Sequence, residues 1–433
     1  MRNLGLSLVS FPCLLFLNLH AMKFEQYNIA SEIKKALAEL NFKRPTDIQY
    51  KAIRPILEGN DVLAVAQTGT GKTAAFVIPV LHKLMQAKYR ADKHEAKCLV
   101  MVPTRELALQ IAKVFRSIGK YTGLKFTALI GGVEQEHQIQ QLANGTDVLI
   151  ATPGRMFDLI HQGKLKLDRT EMLILDEADL MLDYGFIKDI RDVIRFLPRK
   201  KQTLFFSATI DAEIKEIAYS IVRNAIRIQI SPQDPVSKNV SHFVMHVAMD
   251  DKRFFLERLV VEQPNAKILV FVRTKVRADR VAAAMERVGI AALTMHGGID
   301  QHERNEIMKS FAEGKVKMLI TTDLNARGVD IPNVDFVVNY DLPEEAEVYV
   351  HRVGRTGRGV AKGTAYSFCA PEEKPLLKAV EDYVGNKISE ILVDKETYLE
   401  TLVFTEDTKE DNWKALLKEA EKEESQKGKK KKK

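Results

Sequence analysis

Cysteine is scarce in this chain. Its 433 residues include three, Cys13, Cys98 and Cys369, set far apart. That spacing excludes a disulfide framework and a cysteine zinc site. It leaves three small apolar residues suited to a reducing compartment. Long apolar runs are scarce too. Leu4 to Leu19 is uncharged behind Arg2, but Pro12 interrupts it, and about 16 residues is short for a spanning helix. The segment resembles a short secretory signal with Ala21 at the cleavage point. The competing reading is an upstream start codon with the true start at Met22, which the cytosolic look of the rest favours. Residues 1–21 are therefore left out of the fold argument. Neither sign of charge dominates, since 65 Lys and Arg face 58 Asp and Glu. At 45% apolar and 28% charged, the composition excludes a wholly disordered chain, a collagen-like repeat and a polytopic membrane protein.

At about 100–200 residues per domain, the length suits two to three domains. The net charge of +7 points to a polyanionic partner, and it is unevenly spread. Residues 1–230 carry +8, 231–400 carry −3, 401–425 carry −4 and 426–433 carry +6. From Met22 onward, short apolar runs alternate with amphipathic stretches. Asp61–Ala66, Cys98–Val102, Asp147–Ala151, Met172–Leu175 and Thr203–Phe206 read as buried parallel strands. Ala74–Leu84 and Glu106–Ile118 read as helices between them. The alternation predicts an α/β fold with a parallel sheet. Ser231–Val240 has two prolines and no apolar period, and reads as a linker. A second strand set follows at His242–Val247, Lys267–Val272, Lys317–Thr321, Phe336–Asn339 and Gly363–Phe368. The expected organisation is a first lobe at 22–230, a linker at 231–240, a second lobe at 241–385 and an extension at 386–433. The lysine-rich end of that extension is expected to be disordered.

Ala66-Gln67-Thr68-Gly69-Thr70-Gly71-Lys72-Thr73 follows a strand and precedes a helix. Phosphate binding needs that context, because glycines let backbone N–H groups face the phosphates at a helix N-terminus. Lys72 would reach the β- and γ-phosphates, and the Thr73 hydroxyl would ligate Mg²⁺. Leu173-Ile174-Leu175-Asp176-Glu177-Ala178-Asp179 brings carboxylates to the end of a strand, where ligands of open α/β sheets bind. Asp176 is placed to hold Mg²⁺, and Glu177 to orient and deprotonate the attacking water. Together the two motifs predict hydrolysis of a Mg–nucleoside triphosphate. His351-Arg352-Val353-Gly354-Arg355-Thr356-Gly357-Arg358 sets arginines at a spacing of three. Alone it reads equally as a solvated basic surface or as a phosphate patch. Gly354 and Gly357 argue against a surface helix, since each costs about 1 kcal/mol in a helix interior. If the second lobe docks on the first, Arg355 and Arg358 can act as arginine fingers.

These motifs resemble those of DEAD-box ATP-dependent RNA helicases of superfamily 2, over about residues 23–385. The flanking sequence is most similar to the bacterial RhlE-type subgroup. The resemblance implies two tandem RecA-like P-loop NTPase lobes, each with a parallel sheet, joined by a short linker. It also implies that Phe42 stacks on adenine, that Gln49 pairs with the adenine edge, and that Phe24 and Thr46 belong to the same motif. Thr68, Gly69, Thr70 and Gly71 then cradle the phosphates with Lys72 and Thr73, and Asp330 meets the ribose. Asn41 stands where the family has Gly, and tolerates a positive φ. Asp179, Ser207, Thr209 and His351 are implied to couple hydrolysis to strand separation. RNA contacts are implied at Pro103, Thr104, Arg105, Gly132, Thr152, Pro153, Gly154 and Arg155 in the first lobe. In the second lobe they are Arg273, Gly297, Gln301, Arg304 and Thr322. Such groups hold phosphate and sugar and carry no base code.

The implied cofactors are ATP and Mg²⁺, and the implied partner is RNA, single-stranded or in short duplexes. Ribosome-assembly or RNA-degradation proteins are the candidate protein partners. The expected setting is the cytoplasm, without stable membrane association. An ATP-gated RNA clamp, in which unwinding is incidental, is the alternative of a different class. A DNA helicase is a further rival, against which Gln49 and the Asp176–Asp179 tetrad argue.

Overall fold

The computed structural model describes residues 22–67, 69–86, 96–210, 212–230, 236, 239–323, 331, 334–357 and 362–403. Cys13, Thr68, most of the linker, Asn325–Asp330, Arg358 and the tail from 404 lie outside the described residues, as does the side chain of Gln301. Two compact units divide the chain, residues 1–231 and 232–433.

The first unit holds β1 (Val62–Val65), β2 (Cys98–Met101), β3 (Phe126–Leu129), β4 (Val148–Ala151), β5 (Met172–Leu175), β6 (Gln202–Ser207) and β7 (Ile226–Gln229). They pair in the order β3-β4-β2-β5-β6-β1-β7, every pair parallel. Buried on both faces, the central strands have no polar side to offer. Val62 and Ala64 enter one core layer while Leu63 enters the other, and Leu99 and Val100 divide in the same way. The first layer is closed by α1 (Ser31–Glu39), α2 (Asp47–Leu57), α3 (Lys72–Gln86) and α4 (Arg105–Ile118). The second is closed by α5 (Gln135–Ala143), α6 (Pro153–His161), α7 (Ala178–Asp183), α8 (Ile187–Phe196) and α9 (Ala212–Ile221). Phe76 of α3 packs on Phe206 of β6, with ring centroids 5.2 Å apart. This contact seats the helix that follows the glycine-rich loop, and Phe206→Ala would cost about 3–5 kcal/mol.

The second unit repeats the plan with β8 (Val240–His246), β9 (Ile268–Phe271), β10 (Ala292–Met295), β11 (Met318–Thr321), β12 (Phe336–Asn339), β13 (Gly363–Cys369) and β14 (Ser389–Glu390). The order is β10-β11-β9-β12-β13-β8-β14, again parallel throughout. Its helices include α10 (Lys252–Glu262), α11 (Lys275–Arg287), α12 (Gln301–Ala312), and those at Ala346–Val353 and Lys374–Val384. The α/β fold with two RecA-like parallel sheets is therefore as the sequence implies.

Four strands go beyond that reading. β3, β7, β10 and β14 are the outermost strands of the two sheets. Half-covered, they lack the continuous apolar run that marks an inner strand. The second unit also continues past residue 385. β14 joins the sheet, and the Tyr398 hydroxyl accepts from Ala248 N at 3.1 Å and donates to Asp251 Oδ2 at 2.7 Å. Cys98 and Cys369 are buried and unpaired. Among the described residues, no helix is long and apolar enough to cross a membrane.

Candidate active site and nucleic-acid interface

In a parallel sheet all carboxyl ends share one edge, and ligands of such sheets bind there. In the first unit that edge divides in two. The ends of β1, β5 and β6 carry the nucleotide motifs. The ends of β2, β4 and β3 carry the residues expected to touch RNA.

The loop after β1 is bent at Gly69 (φ +82°) and Gly71 (φ +93°), a left-handed backbone that favours glycine. Thr70 Oγ1 donates to Gln67 O at 2.7 Å and closes the turn. Gln49 ties this loop to the segment before α2. Its Oε1 accepts from Thr46 N at 3.0 Å, and its Nε2 donates to Gly71 O at 3.1 Å. A Cβ on Gly71 would lie 2.4 Å from Gln49 Nε2, so only glycine fits. Each end of the Gln49 amide already has one partner. Pairing with a base edge would use the second Nε2 hydrogen and the second Oε1 lone pair. Phe42 is 38% exposed, whereas Phe24 is 3% exposed and packed between Phe42 and Tyr27. Phe24 thus backs Phe42. Asn41 takes φ +59°, as its place in the turn requires.

Lys72 is buried, and its Nζ has no hydrogen-bond partner. An unpartnered buried ammonium costs free energy unless an anion meets it. Asp176 lies close enough to feel its charge. Burial pushes the Asp176 carboxyl up to about 7; Lys72 pulls it down in part, while Glu177 and Asp179 add repulsion. A desolvated carboxylate beside an orphaned ammonium is a donor set that fits a phosphate together with a divalent cation. Glu177 has φ +51°, a left-handed conformation that costs a non-glycine residue about 1–3 kcal/mol. Asp179 binds the end of β6 directly. Its Oδ2 accepts from Ala208 N at 3.0 Å and from Thr209 N at 3.2 Å, and its Oδ1 accepts from Leu180 N at 3.0 Å. The Ser207 hydroxyl is buried without a partner.

On the other half of the edge, Thr104 caps α4, its Oγ1 accepting from Leu107 N at 3.2 Å. Arg105 lies flat on Gly131 and Gly132. A Cβ on Gly132 would sit 2.0 Å from its guanidinium. Pro153 opens α6, and Arg155 donates to Val133 O at 3.0 Å while its other terminal nitrogen stays buried and unpartnered. These residues therefore meet, as the motif order implies. Gln138, absent from the sequence reading, holds them. It accepts from Ile130 N at 3.0 Å and donates to Ile130 O at 3.1 Å, clamping the peptide before Gly131. Nothing in the polar sequence of α5 marks it out.

In the second unit, Gly297, Thr322 and Arg273 follow the ends of β10, β11 and β9, which are neighbours in the sheet. Arg304 lies on α12, one turn past its Asp300 cap. Arg273 is partly committed already, since it donates to Glu373 Oε1 at 2.5 Å. Lys252, fully buried, donates to Glu373 Oε2 at 2.5 Å and to Tyr340 O at 2.7 Å. Burial alone would raise the Glu373 carboxyl, but Lys252 and the other donors hold it below its ordinary range.

Arg352 and Arg355 do not share a helical face. Helix Ala346–Val353 ends at Gly354, so Arg352 is helical while Arg355 lies in the turn beyond. Arg352 is 1% exposed and grips Asp323 through two bonds, Nε to Oδ1 at 2.5 Å and a terminal nitrogen to Oδ2 at 2.7 Å. It also donates to Asn339 Oδ1 at 3.2 Å and to Asp341 O at 2.6 Å. Gly357 is required by φ +66° and by Val240, whose side chain would lie 2.5 Å from its Cβ. Packing accounts for that glycine. His351 is half-buried and Arg355 is buried.

A P-loop joined to an acidic strand end on a parallel sheet defines a nucleoside-triphosphatase, and the second sheet makes it a tandem one. The DEAD/DEAH box helicase family matches residues 46–217, and the helicase conserved C-terminal domain matches 251–360. The ATP-dependent RNA helicase RhlB of Pseudomonas syringae pv. tomato is 38% identical over 372 residues, 85% of this chain and 94% of its own length. The ATP-dependent RNA helicase DbpA of Bacillus subtilis is 36% identical over 368 residues, 85% and 76% respectively. Among solved structures, S. cerevisiae Dbp5 bound to RNA and ADP BeF3 superposes with a TM-score of 0.77 at 30% identity, covering 90% of this chain and 100% of that one. The chain belongs to the DEAD/DEAH box helicase family.

Proposed function

We propose that this protein is an ATP-dependent RNA helicase, coupling RNA-stimulated ATP hydrolysis to local separation of short duplexes and remodelling of RNA–protein assemblies. The observation that carries this reading is the divided carboxyl edge of the first unit. An orphaned buried ammonium beside Asp176 and Glu177 shares that edge with a cluster of backbone-binding groups, Thr104, Arg105, Gly132 and Arg155.

Thr73 and Asp176 would hold Mg²⁺, which when bound neutralises charge on the β- and γ-phosphate oxygens. Lys72 binds the same phosphates, and its desolvation makes that attraction strong. Glu177, beside Asp176 at the strand end, takes the proton of the attacking water. Arg355 and Arg358 serve as the arginines that stabilise charge on the transferred phosphoryl group, and Asp330 holds the ribose. Asp179 transmits the state of this pocket to Ala208 and Thr209 through the backbone bonds described, with Ser207 and His351 as further coupling residues. Arg273, Gly297, Gln301, Arg304 and Thr322 extend the backbone contacts to RNA.

By linkage, ATP and RNA should tighten each other's binding. A cytoplasmic setting belongs to this reading, and the free thiols of Cys98 and Cys369 fit a reducing compartment. The RhlE-type reading rests on flanking sequence alone; the relatives described above are named RhlB and DbpA. Ribosome-assembly or RNA-degradation proteins remain the candidate partners.

The test joins an ATPase assay to release of a short RNA duplex. Both activities are expected with RNA and not with DNA. Hydrolysis without duplex release would favour an RNA clamp, and equal stimulation by DNA would overturn the choice of RNA. Glu177→Gln should bind ATP and RNA yet turn over about 10²–10⁴-fold more slowly. Near-normal turnover would remove Glu177 from the water-activating role.

A further inference from the structure

The basic excess of the first unit is not spent at its carboxyl edge, where Asp176, Glu177, Asp179 and Glu106 offset Lys72, Arg105 and Arg155. Its location follows from the topology. Because every strand of the sheet runs the same way, the loops that enter the strands collect at the amino edge, on the far side of the sheet from the nucleotide. Residues 162–171 enter β5 and residues 197–201 enter β6. These two loops are neighbours, Gln202 N donating to Glu171 O at 2.9 Å. Leu165 and Leu167 are buried and alternate with Lys164 and Lys166, which are thereby turned out to solvent. Arg169, Arg199 and Lys200 are exposed as well.

With Lys201, the two loops present six basic side chains against two acidic ones, Asp168 and Glu171. Glu171 is itself engaged, 3.5 Å from Lys97 at the start of β2. The basic row continues along the edge. Arg223, in the loop before β7, lies near enough to Lys201 to add its repulsion to the burial that holds that ammonium below its ordinary range. Lys120 and Lys125 stand exposed in the loop before β3, Lys120 paired with Glu39 at 3.0 Å, and the row is interrupted by Asp147 before β4 and Asp61 before β1. Six strand spacings of about 4.8 Å put the row at about 29 Å from end to end. The platform is fixed from beneath: the Thr170 hydroxyl donates to Ala96 O at 3.0 Å and Lys201 Nζ to Pro198 O at 3.2 Å.

We propose that this amino-edge face of the first unit is a second RNA-binding surface, which grips the phosphate backbone of structured RNA flanking the segment being remodelled. Exposed ammonium and guanidinium groups without aromatic neighbours in these two loops bind phosphates and read no bases. The face lies wholly within one unit and away from the nucleotide motifs, so its grip does not depend on ATP. It would keep the enzyme on its RNA between turnovers. The inference takes RNA as the substrate from the reading above.

The test uses the full chain with Lys164→Glu, Lys166→Glu, Arg199→Glu and Lys200→Glu combined, alongside a milder set carrying Gln at the same four positions. A fluorescent RNA hairpin with a single-stranded extension, and the extension alone, are titrated by anisotropy across a series of KCl concentrations. Without nucleotide, hairpin affinity should fall about tenfold or more. The log–log salt slope should shrink by about 2–4, at 0.7–0.9 per lost phosphate contact. The Gln set should fall in between. ATPase stimulated by the extension alone should keep its kcat, which shows that the fold and the carboxyl edge are intact. Unchanged hairpin affinity and slope in a variant with that intact ATPase would overturn the proposal. So would a variant that keeps RNA binding but loses binding to phosphatidylserine vesicles. Failure of the unsubstituted chain to respond to any RNA in the ATPase assay would instead count against the helicase reading, with nucleotide-free hairpin binding still reporting on this face.

Discussion

Arg352→Met distinguishes an arginine that holds the second unit together from one that faces phosphate. Its guanidinium makes four hydrogen bonds, two to the Asp323 carboxylate, one to Asn339 Oδ1 and one to Asp341 O. It also lies 5.1 Å from the centre of the Phe271 ring. Removing one partner of a buried ion pair costs about 3–5 kcal/mol. The Asp323 side chain is 27% exposed and can recover some hydration, which favours the lower end. Asn339 is fully buried and its Oδ1 loses the Arg352 donor, which adds to the cost. About 3 kcal/mol is then expected, a large part of the 5–15 kcal/mol that stabilises a typical domain. With an m-value of about 2 kcal/mol/M in urea, the unfolding midpoint of the second unit should drop by about 1.5 M. Arg352→Lys keeps the charge but loses the fork, and should fall in between. The assay is urea unfolding followed by circular dichroism, with ATPase measured under conditions where the variant is folded. An unmoved midpoint together with abolished turnover would refute the reasoning and return Arg352 to the phosphate-binding set.

Lys72→Met should separate two readouts. Nucleotide affinity should fall by about 10²-fold or more as a charge-assisted phosphate contact is lost. Stability of the nucleotide-free protein should change far less, because relief of a buried ammonium without a hydrogen bond is set against the lost attraction to buried Asp176. Unchanged ATP affinity by calorimetry would sink the phosphate-loop assignment. Gln138→Ala removes both bonds to Ile130, about 2 kcal/mol in all. It should raise the KM for RNA about 10-fold or more, with little change in ATP affinity or in kcat at saturating RNA. An unmoved KM would mean that Gly131 and Gly132 hold their turn unaided. Burial holds the His82 imidazole below its ordinary 6.5, and its Nδ1 accepts from Ala30 N at 3.1 Å. The unfolded chain therefore takes up a proton that the fold resists, so first-unit stability is full above pH 6.5 and falls as pH drops below it. Urea midpoints compared at acid and neutral pH should show that fall, and His82→Gln should flatten it.

Inner strands were legible because both their faces are buried. Met172–Leu175 and Phe336–Asn339 match the sequence reading to the residue; the first has no polar position, and in the second only the terminal Asn339 is polar. Outermost strands were not. In Ile226–Gln229 only Ile228 is buried, and no periodicity can distinguish such a segment from a loop. The nucleotide motifs were legible because their chemistry demands unusual residues in a fixed order. The residues that position the expected RNA-contacting groups were not. Lys252 and Glu373 meet across a long stretch of chain, Gln138 folds back on Ile130, and a polar residue in a mixed segment carries no trace of the partner it will meet. The glycines of the arginine motif were legible: Gly354 ends the helix that carries Arg352, in keeping with the cost of glycine in a helix interior.

Gln49 joins the two ends of the nucleotide pocket. One end of its amide fixes the start of α2, beside the exposed ring of Phe42, and the other holds the carbonyl of Gly71 in the turn that faces the phosphates. On the roles proposed for Phe42, Gln49 and Lys72, the base and the triphosphate would be read by parts that share this one link. A nucleotide with the wrong base would disturb Gln49 and, through it, the bend on which Lys72 depends. Discrimination at the base then appears in turnover as well as in occupancy. A mismatched nucleotide could fill the pocket and still leave the hydrolytic groups out of register.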